Sequence, residues 1–156
     1  MTGRPGWRAF SSAMIRFAGG VPVPIPLLED RSFSFDLNIL RKSISDKTKM
    51  LILNSPQNPT GGVIPHEDIV EIANLVRDRN LMVLSDEIYT RIYFGQKPSS
   101  ISSEPGMLEK TIILDGFSKT YAMTGWRLGW GVWPESLAEL ATRLAVNVHS
   151  CVNAAT

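Results

Sequence analysis

The sequence lacks several features that would assign it to particular classes of protein. It has one cysteine, Cys151, which excludes an internal disulfide and suits a reducing compartment such as the cytoplasm. Its two histidines, His66 and His149, are far apart, so they cannot complete the closely spaced ligand set of a zinc site, and no metal site is predicted. No apolar run approaches about 18 residues, and no membrane span or secretory signal is predicted.

An excess of charge of one sign is also absent. The net charge is +1 and no basic stripe occurs, so the sequence predicts neither nucleic-acid binding nor attraction to an anionic membrane. What is present is the composition of a globular protein, with 44% hydrophobic and 20% charged residues. A chain of 156 residues is long enough for one domain of ordinary size, which we expect to span residues 1–156.

Strand-like and helix-like patterns alternate along the chain. Continuous apolar runs at 50–53, 81–84 and 111–114 predict buried strands, and further strands are predicted at 21–25 and 128–133. Helical periodicity predicts helices at 36–44, at 66–80 and after Pro134, and residues 95–106 are predicted to form a surface loop. This order predicts an α/β fold with a mostly parallel sheet and helical crossovers.

Polar segments follow each of the three buried runs. They read NSPQNPTG, SDEIY and DGFSKTYAMTGWR. Ligands of such sheets bind beyond the carboxyl ends of the strands, where these segments should meet. We therefore expect the reactive side chains to cluster at one edge of the sheet.

The strongest chemical signal is a lysine that follows the third run. In that position Lys119 can be desolvated, which would make its amine a usable nucleophile towards a carbonyl cofactor, with which it would form a Schiff base. Ser118 and Arg127 offer a hydroxyl and a guanidinium for a phosphate group.

The other two polar segments supply the partners that such a cofactor needs. Asp86 can face a protonated ring nitrogen, and Tyr89 and Asn58 can hydrogen-bond a ring oxygen. Each residue alone also has an ordinary explanation, such as a solvated lysine, a polar strand end, a turn or a packed aromatic side chain. Their combination after strands of one sheet favours the functional interpretation.

Three motifs also resemble a known family. They are NSPQNPTGG at 54–62, SDEIY at 85–89 and GFSKTYAMTGWRLGW at 116–130, in which Arg127 stands eight positions after Lys119. The sequence is similar to class I/II aminotransferases related to aspartate aminotransferase, which are fold type I pyridoxal-phosphate enzymes. The resemblance covers about residue 5 to the C-terminus. It implies a partial large domain that binds pyridoxal 5'-phosphate.

The resemblance implies a role for each matching residue. Lys119 would be the Schiff-base and proton-transfer lysine, Asp86 would pair with the pyridinium nitrogen, and Tyr89 would bind the ring oxygen. Asn58 would share that oxygen and lie near the substrate carboxylate. The phosphate would be held by Ser118 and Arg127.

Two further positions follow from the resemblance. Trp7, in PGWRAFSS, matches the aromatic residue that stacks on the cofactor ring. Gly116 stands where some members have a second phosphate-binding serine, so that contact is not expected here.

The resemblance also implies that parts of the family's fold are missing. An upstream phosphate-binding helix start, a tyrosine that reaches the partner subunit, and a downstream small domain with a carboxylate-binding arginine are not found. We therefore expect a fragment with open sheet edges, exposed apolar faces and marginal stability.

Three functions remain open at this point. The first is an aminotransferase acting on an amino acid and a 2-oxo acid, cytoplasmic and homodimeric in its full-length form. The second is a lyase or synthase built on the same core. The third is a catalytically inactive cofactor-binding module. The sequence does not identify the amino acid substrate.

Overall fold

The computed structural model describes residues 6–152 and residue 154, with the backbone alone for residues 6–10. Four α-helices are described within this range: α1 (Gly6–Phe17), α2 (Leu37–Ser43), α3 (His66–Arg77) and α4 (Glu135–His149). The strands are β1 (Leu27–Leu28), β2 (Ser34–Phe35), β3 (Met50–Asn54), β4 (Met82–Asp86), β5 (Thr111–Gly116) and β6 (Gly129–Val132). Short 3-10 helices occur at Glu29–Arg31, Ile101–Ser103, Leu108–Lys110 and Thr124–Trp126.

The main sheet has four strands in the order β3-β4-β5-β6. The first three are parallel, with Asn54 opposite Asp86 and Asp86 opposite Leu114, whereas β6 runs antiparallel to β5. The predicted α/β fold with a mostly parallel sheet is therefore confirmed. The register brings the carboxyl ends of β3 and β4 side by side.

Helix α3 packs its apolar stripe into the core. Ile69, Ile72, Ala73 and Val76 are buried, as their helical spacing predicted. Pro65 precedes the first turn, where the missing N–H costs least. Helix α3 therefore provides the connection that lets β3 and β4 run parallel.

Helix α2 begins as its sequence indicated. The Asp36 side chain accepts a hydrogen bond from the Asn38 backbone N–H at 2.7 Å, which satisfies one of the free donors at the helix start. Leu40 is buried on the side that faces the core.

The predicted strand at 21–25 is wrong. These residues have no regular structure, and the neighbouring two-stranded pairing joins Leu27–Leu28 to Ser34–Phe35 instead. Prolines at positions 22, 24 and 26 remove every second backbone donor, so this segment cannot sustain a ladder of hydrogen bonds.

The segment 95–106 is more than a surface loop. It contains a 3-10 helix in which Ile101 is fully buried, next to the equally buried Met107 in the core. The prediction was based on the Ser, Pro and Gly content, which gives no weight to the single apolar residue, Ile101, that packs into the core.

Strand β6 and helix α4 form with exposed apolar side chains. Every residue of β6 is exposed, and no residue of α4 is buried in the described part of the chain. On α4, Leu140 and Leu144 lie 60% and 64% exposed, although their spacing predicted an apolar stripe. Within residues 6–152, no helix is both long and apolar enough to cross a bilayer.

The two glycines of the NPTGG segment serve different purposes. Gly61 has φ +73°, a left-handed conformation that favours glycine. A Cβ on Gly62 would instead lie 2.8 Å from the Ser32 carbonyl oxygen and 2.9 Å from the Phe33 Cβ. Close packing against the 32–33 turn therefore explains Gly62.

We expect Gly62→Ala to destabilise the chain by about 1–3 kcal/mol, because backbone atoms must move to admit the methyl group. Gly125→Ala is the matched control, since its Cβ would meet nothing within 4 Å. Urea denaturation of both variants measures the difference. Equal stabilities would show that the 32–33 turn yields without strain.

Candidate functional site

The candidate site is built on the paired ends of β3 and β4. Asn54, the last residue of β3, donates through Nδ2 to the Asp86 carbonyl oxygen at 3.2 Å. Its Oδ1 accepts from the Asn58 backbone N–H at 3.1 Å. One buried amide thus connects the end of β4 to the loop that carries Asn58.

Sequence reasoning assigned no role to Asn54. The sequence did contain a signal, because Asn54 is a polar residue at the end of a buried apolar run. A buried amide without hydrogen-bond partners is unfavourable, so such a residue is expected to bind neighbouring polar groups.

Asn58 and Tyr89 face each other across the strand ends. The Asn58 Nδ2 donates to the Tyr89 hydroxyl oxygen at 3.4 Å. The Lys119 Nζ lies 5.5 Å from the centre of the Tyr89 ring, within the range of a cation–π interaction. Side chains from all three polar segments therefore meet around Tyr89.

Asp86 is a half-buried carboxylate. Removal from water raises the pKa of Asp86, a hydrogen bond from the Ile88 backbone N–H lowers it, and the nearby charge of Asp115 raises it; the net shift is upward. In that hydrogen bond, the Ile88 backbone nitrogen lies 3.3 Å from the Asp86 Oδ1. In the described part of the chain, no ion pair includes Asp86.

Lys119 begins a loop that closes on itself. Phe117, two residues before Lys119, donates its N–H to the Leu128 carbonyl at 3.1 Å and accepts from the Met123 N–H at 3.2 Å. The Ala122 N–H donates to the Lys119 carbonyl at 3.0 Å, and Ala122 has a φ of +53°. The loop leaves the sheet at β5 and returns at β6.

This closure brings the two expected phosphate-binding residues to the base of the same loop. Ser118 follows Phe117 and Arg127 precedes Leu128, so they flank one backbone hydrogen bond. Arg127 has φ +51°, and its Nη1 donates to the Thr124 carbonyl at 3.0 Å. The other guanidinium donors are available to a ligand because Arg127 is exposed.

Lys119 is also exposed, and the expectation of a desolvated lysine is wrong for this structure. The strand before it is covered, but the loop carries Lys119 beyond the end of β5. No described segment packs over it closely enough to bury it.

Gly116 ends β5 in a crowded position. A Cβ there would lie 3.0 Å from the Gly129 Cα and 3.1 Å from the Leu128 carbonyl oxygen. The close pairing of β5 with β6 therefore disfavours any side chain at this position, including the serine of some family members.

Two other expectations concern the residue that stacks on the cofactor ring and the absence of a metal site. The side chain of Trp7 lies outside the described residues, although its backbone belongs to α1. Across 6–152 and 154, no three His, Cys, Asp or Glu residues converge in a group that could hold a metal ion.

The fold and these strand ends define an α/β protein in which polar side chains from three segments gather at one edge of a mostly parallel sheet. Residues 2–156 match the family described as aminotransferase class I and II. The chain belongs to this family, which is enzymatic and uses pyridoxal phosphate.

Individual relatives agree with the family match. An aromatic-amino-acid aminotransferase 2 of Thermococcus litoralis and an aspartate aminotransferase of Pyrococcus abyssi are each 43% identical over 148 residues. These alignments cover 94% of this chain and 38% of either relative. The chain therefore spans less than half the length of the curated relatives it matches.

Solved structures share the fold. An aromatic aminotransferase from Pyrococcus horikoshii OT3 is similar with a TM-score of 0.84 and 43% identity, over 88% of this chain and 37% of its own. The aspartate aminotransferase from Thermus thermophilus with maleate gives a TM-score of 0.85 at 32% identity, over 91% and 37%.

We expect Asn54→Ala to lower stability by about 1–3 kcal/mol, because it leaves the Asp86 carbonyl and the Asn58 N–H without their partner. Asn80→Ala is the control, since Asn80 is exposed and makes no side-chain hydrogen bond to the described residues. Thermal unfolding of both variants tests this. A neutral Asn54→Ala would mean that water replaces the amide.

Asp86→Asn should stabilise the chain at neutral pH, because it removes a desolvated charge but keeps an oxygen that accepts from Ile88. A raised folded-state pKa means that the native state binds the proton more tightly, so wild-type stability falls as pH rises above the ordinary value of 3.8. The two melting temperatures should converge below that pH and diverge above it. The opposite trend would contradict the desolvation argument.

Proposed function

We propose that residues 1–156 form part of the pyridoxal-phosphate-binding large domain of an aminotransferase. The reaction moves an amino group between an amino acid and a 2-oxo acid. The observation that carries this proposal is the meeting of Asn58, Tyr89 and Lys119 beside the end of β4, in a member of the class I and II family.

The residues at the strand ends fit this cofactor chemically. Asp86 is a half-buried carboxylate that forms no ion pair within the described residues, and a cationic ring nitrogen would supply the missing opposite charge. When bound, pyridoxal phosphate supplies a protonated ring that withdraws electrons from the reacting carbon of the substrate.

Each side chain then has a defined task. Lys119 would hold the cofactor through Nζ at its aldehyde carbon, with loss of water, and the same amine is the group that could move a proton. Asp86 would hold the proton on the ring nitrogen. Tyr89 and Asn58 would hydrogen-bond the ring oxygen, and their mutual contact at 3.4 Å keeps both polar groups together.

The phosphate and the ring face have their own residues. Ser118 and Arg127, at the base of the closed loop, would donate hydrogen bonds to the phosphate. Trp7 would stack on the ring. This last assignment is supported by the motif PGWRAFSS alone.

The wider biological setting is part of the same proposal. We infer that the protein acts in the cytoplasm, supported by its lone cysteine, and that the full-length protein is a homodimer, supported by the family resemblance. Its substrates are an amino acid and a 2-oxo acid, in keeping with the relatives' names.

Cofactor attachment is the direct test. Pyridoxal phosphate added to the chain should shift in absorption, and borohydride reduction followed by peptide mass mapping should locate the adduct on Lys119. Lys119→Ala should abolish both signals, whereas Lys47→Ala, which alters another exposed lysine, should leave them intact.

Two results would contradict the proposal. One is an adduct spread over several lysines without preference for Lys119. The other is a shift that survives Lys119→Ala. For a full-length protein that contains this segment, transfer of amino groups to 2-oxoglutarate is expected, and release of ammonia without transfer would indicate a lyase.

A further inference from the structure

Glu87 is a partly buried carboxylate that the proposed site does not use. It follows Asp86 directly, at the end of β4. Its Oε1 accepts from the Ser85 Oγ at 3.0 Å and from the Ser100 Oγ at 2.6 Å. In the described part of the chain, Glu87 belongs to no ion pair, so hydroxyl donors compensate its desolvation.

The hydroxyls form a directed chain that ends on Glu87. Because a carboxylate only accepts, Ser100 must give its single proton to Glu87. Ser100 Oγ can then accept from the Ser102 hydroxyl at 2.8 Å and from the Ser102 backbone N–H at 3.3 Å. Ser100 also precedes the fully buried Ile101. Glu87 is thereby attached to a segment anchored in the core.

The backbone of Glu87 fixes the turn that presents Tyr89. Its N–H donates to the Leu114 carbonyl of β5 at 2.8 Å. Its carbonyl accepts from the Thr90 N–H at 3.0 Å and from the Thr90 Oγ1 at 2.9 Å. The side chain and the backbone of one residue therefore attach this turn to both β5 and the 100–102 segment.

We propose that Glu87 is a positioning residue that holds Tyr89 and Asp86 in place for the cofactor. The inference rests on the proposed function. Glu87 itself points to Ser85 and Ser100, so it acts through the turn. Without its carboxylate, the 87–90 turn can still form its backbone hydrogen bonds, but it loses its attachment to Ser100 and opens more often. The Tyr89 hydroxyl would then be free to leave Asn58.

The test uses the whole chain with pyridoxal phosphate. Glu87→Ala and Ser100→Ala should each weaken cofactor binding by about tenfold, the effect of losing one charge-assisted hydrogen bond. Both should also reduce the circular dichroism of each bound cofactor, because that signal depends on the fixed orientation of an achiral ring. Glu87→Gln keeps an accepting Oε1 and should therefore retain most of the wild-type cofactor affinity and circular dichroism. Glu109→Ala, which alters an exposed acidic residue outside this network, is the control.

Hydrogen exchange of the cofactor-free chain provides an independent measurement. Glu87→Ala should speed the exchange of the amides at 88–92, and Glu109→Ala should not. Unchanged exchange would overturn the positioning role. So would a Glu87→Ala variant that melts earlier but binds the cofactor with wild-type affinity and dichroism, because that result defines a purely structural residue.

The two proposals fail in different ways. If the wild-type chain gives no absorption shift that depends on Lys119, the proposed function is wrong, whatever the exchange data show. If that shift is present and Glu87→Ala leaves the exchange at 88–92 unchanged, or leaves both affinity and dichroism unchanged, only the role of Glu87 is wrong.

Discussion

The parallel register of β3, β4 and β5 is the constraint on which the candidate site depends. It places Asn54 opposite Asp86 and Asp86 opposite Leu114. Because side chains alternate between the two faces of a sheet, a slip of one residue would send Asp86 to the other face. The buried side chains of α3 and of the 101–107 segment share one core with strands β3 and β4 and so stabilise this register. At the strand ends, the hydrogen bond from Asn54 to the Asp86 carbonyl stabilises it further.

The fold could be predicted from the sequence where the apolar periodicity was strong. The prediction failed where one residue type dominated the pattern. Helix α3 combined an apolar stripe with a proline at its start, so burial and local geometry agreed. At 21–25 the apolar residues suggested a strand, but alternating prolines cannot donate to a ladder. At Ile101 a single apolar residue among serines decided the packing, and composition could not reveal it.

The site could be predicted as a set of strand ends but not as a network. Asn58, Tyr89 and Lys119 meet because the polar segments follow adjacent strands, which sequence order implies for a parallel sheet. The supporting contacts of Asn54 and Glu87 depend on which atoms face each other after folding, and no spacing rule encodes that. The exposure of Lys119 likewise depends on what covers the loop, which is a property of the whole structure. The chemical roles of these residues stay predictions.

Asp86 connects the stability of the chain to its proposed ligand. A carboxylate removed from water without an opposite charge disfavours the folded state at neutral pH, and the Ile88 N–H offsets this only in part. A cationic ring nitrogen facing Asp86 would reverse the sign of the effect, since it would stabilise the ionised carboxylate and lower its pKa. A ligand that binds only the folded state also stabilises that state. Cofactor binding and folding should therefore reinforce each other in this chain, with the same carboxylate opposing folding in the free protein and favouring it in the complex.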